Sequence, residues 1–224
     1  MDRENTILLN GATASHDIDY EAASKALRCL PGRVVVEMLP AKDKVGSIFL
    51  PATVAANNRP DVGVVVAHGD DVPLSVGDVV VVRGYDGTWR EGFSVGGYQA
   101  KSEIRCYGVF ATEVSKGAPT IVDWSDSILA RLDSDMKIKP LGANLLIRRD
   151  PIVNKSSTIL LPDDATYRTN IGTVVAAGRD CKLEPGTRVV YHPYGALDFD
   201  DINGDPDLAI MSENAIEVVL DEAV

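Results

Sequence analysis

The sequence predicts an all-β chain of two tandem small β-barrels joined by a short helical linker. Three observations carry this reading. Short runs rich in Val and Ile (VVVEM, VGVVVA, DVVVV, LLIRR, TVVAAG and RVVYH) are bounded by Gly, Pro, Asn or Asp, as strands are. The runs lie close together, which suits a sheet that closes on itself and leaves no exposed edge. The whole pattern is also written twice.

Residues 30–51, LPGRVVVEMLPAKDKVGSIFLP, align with residues 141–162, LGANLLIRRDPIVNKSSTILLP, at a constant offset of 111. Pro40 falls on Pro151, and Ile48, Leu50 and Pro51 fall on Ile159, Leu161 and Pro162. The offset then becomes 109, and VGVVVAHGDDVPLSVGDVVVV (62–82) matches IGTVVAAGRDCKLEPGTRVVY (171–191). Gly63, Gly69, Leu74 and Gly77 fall on Gly172, Gly178, Leu183 and Gly186. Chance apolar similarity would not keep turn glycines in register. PLSVGDVVV and KLEPGTRVV read as turns that feed a strand.

Taken in order, residues 1–26 are an N-terminal extension, 27–122 the first barrel, 123–136 a linker helix and 137–224 the second barrel. Residues 1 to about 18 show no pattern and are expected to be mobile. DYEAASKALRCL (19–30) suits a helix leading into the first barrel. DWSDSILARLDSDM (123–136) has apolar residues at 124, 128, 129, 132 and 136, roughly one helical face, with Asp123 or Ser125 as cap.

Composition narrows the function. The 224 residues include 33 acidic and 22 basic side chains, a net charge of −11. A general nucleic-acid binder neutralises phosphates with Lys and Arg, and an anionic membrane surface also needs cations, so both partners are disfavoured. No apolar run reaches the ~20 residues needed to span a bilayer. The acidic start, MDRENTILLNGATASHDIDYE, lacks a basic segment followed by an apolar one, so the protein is expected to stay where it is made. Cys29, Cys106 and Cys181 are odd in number and contain no CxxC; they read as small apolar core residues in a reducing compartment.

The loops inside the repeats pose the functional question. SIFLP (47–51) and TILLP (158–162) place three large apolar side chains within long polar stretches, 42–61 and 153–170. One reading is an apolar strand packed into its own barrel. The other is an apolar docking element on a flexible loop. The length of the stretches, their recurrence and the Pro that follows each cluster favour docking.

On these residues the chain resembles the GroES co-chaperonin family, written twice. MKIKPLGANLLIRRDPIVNKSSTILLPDDA, beginning at Met136, resembles the start of a GroES subunit, and DLAIMSENAIEVVLDEA (207–223) resembles that family's C-terminal strand pair. The first copy matches through residue 83 and then departs. The resemblance implies roughly seven-stranded barrels in a homo-oligomeric, dome-shaped ring that caps a GroEL-type chaperonin around unfolded client proteins. It implies that Ile48, Phe49 and Leu50, with Ile159, Leu160 and Leu161, bind the chaperonin. It implies no cofactor for this chain, since ATP belongs to the partner, and no enzyme activity.

Two departures from the family stand out. Gly46-Ser47 and Ser157-Thr158 replace the usual Gly-Gly before the triplet. Between Gly69 and Leu74, and between Gly178 and Leu183, there is no room for the family's roof hairpin, so an open or otherwise closed dome is expected. The compartment expected is bacterial or phage-infected cytoplasm; plastids also house tandem co-chaperonins. The alternative reading is a structural or assembly protein derived from a co-chaperonin that no longer binds one.

Other constellations are weak. His16, His68 and His192 have no spaced His or Cys partner for a metal. No G-x-S-x-G, P-loop or G-x-G-x-x-G occurs. In DFDDINGDPD, a calcium loop with Gly204 at its sixth position would begin at Phe199 and end at Ile210, both unsuitable. Medium-chain alcohol dehydrogenases also use a GroES-like barrel, but their nucleotide-binding domain and zinc ligands are missing from this sequence.

Overall fold

The computed structural model describes residues 6–9, 12–15, 18–39, 44–45, 48–49, 62–70, 72–83, 88–90, 92–108, 111–112, 120–121, 127–133, 135, 137–151, 170–198, 205 and 207–220. The chain forms two compact units, whose main segments are Met1–Ile138 and Lys139–Asp200 with Gly204–Val224.

The first unit opens with a hairpin, β1 (Thr6–Leu9) against β2 (Ala12–Ser15), with Thr6 opposite Ser15. The sequence reading assigns no element to residues 1–18, and this hairpin is the correction. TILL and ATAS flank an Asn-Gly pair, a short-range hairpin signal in itself. Helix α1 (Tyr20–Ala26) follows where a helix was expected, though shorter. The Asp19 carboxylate caps it by accepting from Ala22 N at 2.9 Å. Leu27 is already extended, and the chain then reverses in a turn closed by Arg33 N to Leu30 O at 3.2 Å. Gly32 occupies the left-handed region of that turn at φ 68°.

The strands that follow are β3 (Arg33–Met38), β4 (Lys44–Val45), β5 (Ile48–Phe49), β6 (Val62–His68), β7 (Val79–Val82), β8 (Thr88–Arg90), β9 (Ser94–Val95) and β10 (Tyr98–Gln99). Then come β11 (Ile104–Gly108), β12 (Ala111–Thr112), β13 (Thr120–Ile121), β14 (Ile128–Leu132) and β15 (Ile138–Pro140). The second unit holds β16 (Asn144–Arg149), β17 (Ile171–Ala177), β18 (Arg188–Tyr191), β19 (Ala196–Asp198), β20 (Leu208–Ser212) and β21 (Ile216–Leu220).

The main sheet of the first unit runs β14-β7-β6-β3-β11-β8, and that of the second runs β21-β18-β17-β16-β20-β19. From β14 onward the two orders are the same, strand for strand. The repeat extends to local detail. The β3–β6 register shifts between Val35 and Val36, and the β16–β17 register shifts at the equivalent Leu146 and Ile147. Val65 N to Asp78 O recurs as Val174 N to Thr187 O, each at 2.9 Å, and Gly69 N to Arg33 O recurs as Gly178 N to Asn144 O, each at 2.8 Å.

Inward side chains also correspond. Leu145, Ile147, Val174, Val189, Tyr191, Ala209 and Met211 build the second core. Val34, Val36, Val65, Val80 and Val82, at positions equivalent to the first five of these, are fully buried in the first. The outer faces differ. In β3 every residue after Arg33 is buried, and in β6 every residue before His68, whereas β17 alternates. An extra layer in the first unit, α1 with the β9–β10 hairpin, accounts for this: α1 contacts β6 and β10, and Ala23 is fully buried.

Two further expectations are corrected. The linker helix over 123–136 is not formed where the structure describes it. Ile128–Leu132 is strand β14, paired antiparallel with β7, with Ile128, Leu129, Ala130 and Leu132 buried. Apolar spacing in so short a run fits a helix and a strand alike, and the open edge of β7 decides between them. The sheets are also open rather than closed barrels. Among the described residues their end strands do not pair with each other, and β8 and β19 have only three residues each with which to build a second ladder.

Candidate functional site

The two loops of interest spring from the same point in each unit. In the first, the chain leaves β3 at Met38 and returns at Val62, and Leu39 N donates to Val62 O at 2.9 Å. In the second, it leaves β16 at Arg149 and returns at Ile171, and Asp150 N donates to Ile171 O at 3.0 Å. A glycine follows each return. A Cβ on Gly172 would stand 2.6 Å from Arg148 O, and one on Gly63 would stand 2.8 Å from Glu37 O while clashing with Val36 Cγ1. Each loop root is therefore a close backbone crossing that only glycine permits.

The roots are fastened differently. Asp150 receives two bonds from the Arg188 guanidinium, Nη1 at 2.5 Å and Nη2 at 2.7 Å, and Arg188 also reaches Thr173 Oγ1 at 3.2 Å. Such a forked pair is among the stronger charge-assisted contacts. Leu39 and Val79 hold the equivalent positions in the first unit, so two apolar side chains stand there in place of the ion pair.

Glu37 anchors the first root from the outer face. Its carboxylate is fully buried and accepts from Tyr98 Oη at 2.5 Å, from Lys101 N at 2.7 Å and from Ser102 N at 3.1 Å. Burial, then the hydrogen bond and charge of Glu37, push the Tyr98 phenol above the usual tyrosine range. Sequence reasoning missed this cluster. The available signal was a lone carboxylate inside an otherwise apolar run, VVVEM, because a buried charge requires partners.

Of the six residues singled out for binding, Ile48 and Phe49 form β5, opposite Val45 and Lys44 of β4. This ladder is separate from the first unit's main sheet, so β5 is not one of that sheet's strands. Leu50, Ile159, Leu160 and Leu161 lie outside the described residues. In place of a roof, the described part of 69–78 makes successive turns, Val72 N to Gly69 O and Asp78 N to Ser75 O, repeated as Cys181 N to Gly178 O and Thr187 N to Glu184 O.

The expectation of three core cysteines is corrected at Cys106, whereas Cys181 packs against the edge of the second core. Cys106 is exposed and Cys29 and Cys181 are half-buried. Cys106 lies on the outer face of β11, beyond the cover that reaches Ile104 and Glu103. His68 Nδ1 lies 2.9 Å from Gly69 O, and Tyr194 N donates to His192 Nδ1 at 3.3 Å, so these rings serve the local backbone. Among the described residues no three His, Cys, Asp or Glu side chains gather as a metal site, and no helix is long and apolar enough to cross a membrane.

Comparison with known proteins gives a consistent result. The family model described as chaperonin 10 Kd subunit matches residues 137–220. A co-chaperonin GroES from Treponema denticola is 34% identical over 88 residues, covering 38% of this chain and 99% of that protein. A co-chaperonin GroES from Pseudomonas putida is 34% identical over 97 residues, with the same coverage. The 20 kDa chaperonin, chloroplastic, of Spinacia oleracea is 28% identical over 217 residues, covering 87% of this chain and 75% of that protein.

Proposed function

The chain belongs to the GroES co-chaperonin (chaperonin 10 Kd) family, and from that premise we propose that it caps a GroEL-type chaperonin and assists ATP-dependent folding of enclosed client chains. The observation that carries the reading is the doubled loop root. Each unit sends out a long chain segment with an apolar triplet from the same hydrogen-bonded strand crossing, Leu39 to Val62 and Asp150 to Ile171. The triplets Ile48, Phe49, Leu50 and Ile159, Leu160, Leu161 are the docking residues. The chain itself is not a catalyst, and ATP acts on the partner.

The energetics favour many weak contacts. Burying three large apolar side chains contributes about 5–9 kcal/mol. Ordering some fifteen loop residues costs on the order of 15 kcal/mol if the free loop is wholly unfolded. One loop alone binds weakly. A homo-oligomeric ring makes each later contact intramolecular, so capping is firm while all partner sites are presented and is lost when they rearrange.

Aspartate at both Phe49 and Leu160 tests the assignment. The double variant should lose chaperonin-assisted refolding of a client while keeping the β-sheet circular dichroism of the parent. Full activity in that variant would remove the triplets from the mechanism.

A further inference from the structure

The outer face of the first unit's sheet brings two distant cysteines to one place. Cys106 on β11 stands directly opposite Val35 on β3. Residues opposite each other in an antiparallel pair share a face, so Cys106 and Val35 lie on the face that also carries Glu37. That face is the one covered by the extra layer. Tyr98 of β10 bonds Glu37 there, and Gly96, in the β9–β10 turn, lies so close to α1 that a Cβ on it would stand 3.0 Å from Ala26 Cβ. Cys29 follows α1 by three residues and immediately precedes the Leu30–Arg33 turn that leads into β3. Cys29 thus lies on the short connection from the covering helix to β3, where its thiol meets the Val35 backbone.

The charge interactions agree with this placement. The Cys29 thiol is held above its usual range chiefly by burial and next by the charge of Cys106, while a hydrogen bond with the Val35 backbone opposes the shift. Cys106 is exposed to solvent and Cys29 is half-buried. This pair has no counterpart in the second unit, where Ile210 stands at the position equivalent to Cys106 and, among the described residues, the α1 layer is not repeated.

We propose that Cys29 and Cys106 form a reversible disulfide that fastens the α1 segment to the sheet carrying the first loop root. The oxidant is a small-molecule or protein disulfide, RSSR. The exposed Cys106 thiolate attacks one sulfur of RSSR, forming a mixed disulfide and releasing one RS⁻. The Cys29 thiolate then attacks the Cys106 sulfur, forms the intramolecular bond and releases the second RS⁻. In sum, two protein thiols and RSSR give one protein disulfide and two RSH. The two cysteines lose two electrons, RSSR gains them, and the two thiol protons end on the RSH products. Because its thiolate is disfavoured, Cys29 is the slower, resolving partner, and closure accelerates as pH rises toward 9. The bond would tie β11 to the layer that buries Glu37, and so stiffen the sheet from which the first loop leaves.

The full-length chain, incubated with oxidised glutathione and digested without reductant, should yield a Cys29–Cys106 cross-linked peptide that dithiothreitol releases. The melting temperature should rise by roughly 5–15 °C relative to the reduced protein. Cys181→Ser should leave both readouts unchanged, whereas Cys106→Ser should abolish both. A wild-type chain that gives only glutathione adducts, an intermolecular dimer or a bond to Cys181 would overturn the proposal. So would a cross-linked chain with no change in melting temperature. The peptide assignment uses the wild-type protein, so a serine variant that fails to fold does not blunt the test.

Discussion

Alanine in place of Gly172 puts the loop root under a defined strain. The added Cβ would stand 2.6 Å from Arg148 O and 2.6 Å from Ile147 Cγ2, against about 3.4 Å for ordinary contact. The returning strand must therefore move by about 0.8 Å, or β16 must, and the oxygen is backbone that cannot rotate away. Overpacking of this kind costs about 1–3 kcal/mol. Removing glycine's freedom from the unfolded chain returns about 0.4–1 kcal/mol. The net destabilisation is about 1–2 kcal/mol, or a fall of roughly 5–10 °C in the melting temperature of the second unit. Scanning calorimetry measures the fall, and amide hydrogen exchange localises it to β16 and β17, with β3 and β6 unaffected. Gly186→Ala serves as the comparison. Its φ of +95° gives strain without any neighbour within 4 Å, so it should weaken the unit without displacing the root. A Gly172→Ala protein as stable as the parent would refute the close-crossing argument for both units.

A double-mutant cycle on Asp150 and Arg188 should return a coupling of about 1–2 kcal/mol, above the surface-pair range because the contact is forked and partly buried; a coupling near zero would leave the second root held by backbone alone. Glu37→Leu should lower the melting temperature of the first unit and speed hydrogen exchange at Lys101 and Ser102, whose amides lose their acceptor. Tyr98 predicts an alkaline effect. Its phenol stays protonated in the fold, so its contribution is complete below about pH 10 and declines above it as the unfolded chain ionises. Tyr98→Phe should lose stability less steeply above pH 10 than the parent, and parallel urea midpoints across that range would count against it.

What could be read from the sequence depended on how local the determining physics is. The turn glycines fix the chain within a few residues, so the offsets of 111 and 109 placed β3, β6 and β7 onto β16, β17 and β18 without a structure. Asn10-Gly11 was equally local and was overlooked. The strand Ile128–Leu132 was not legible, because its conformation is decided by Val79–Val82, far away in sequence. The Glu37–Tyr98 bond joins residues 61 apart, through a part of the first copy that departs from the repeat. For the apolar triplets the proposed docking role rests on the sequence alone. The structure adds the hydrogen-bonded roots from which they are carried and the separate β4–β5 ladder of Ile48 and Phe49.

The most direct measurement is co-sedimentation of the purified chain with a GroEL-type chaperonin, with and without ATP. The account predicts that the chain sediments with the chaperonin when nucleotide is present and remains in the supernatant without it. A chain that stays in the supernatant with ATP, even beside a chaperonin from its own source, would contradict the capping role.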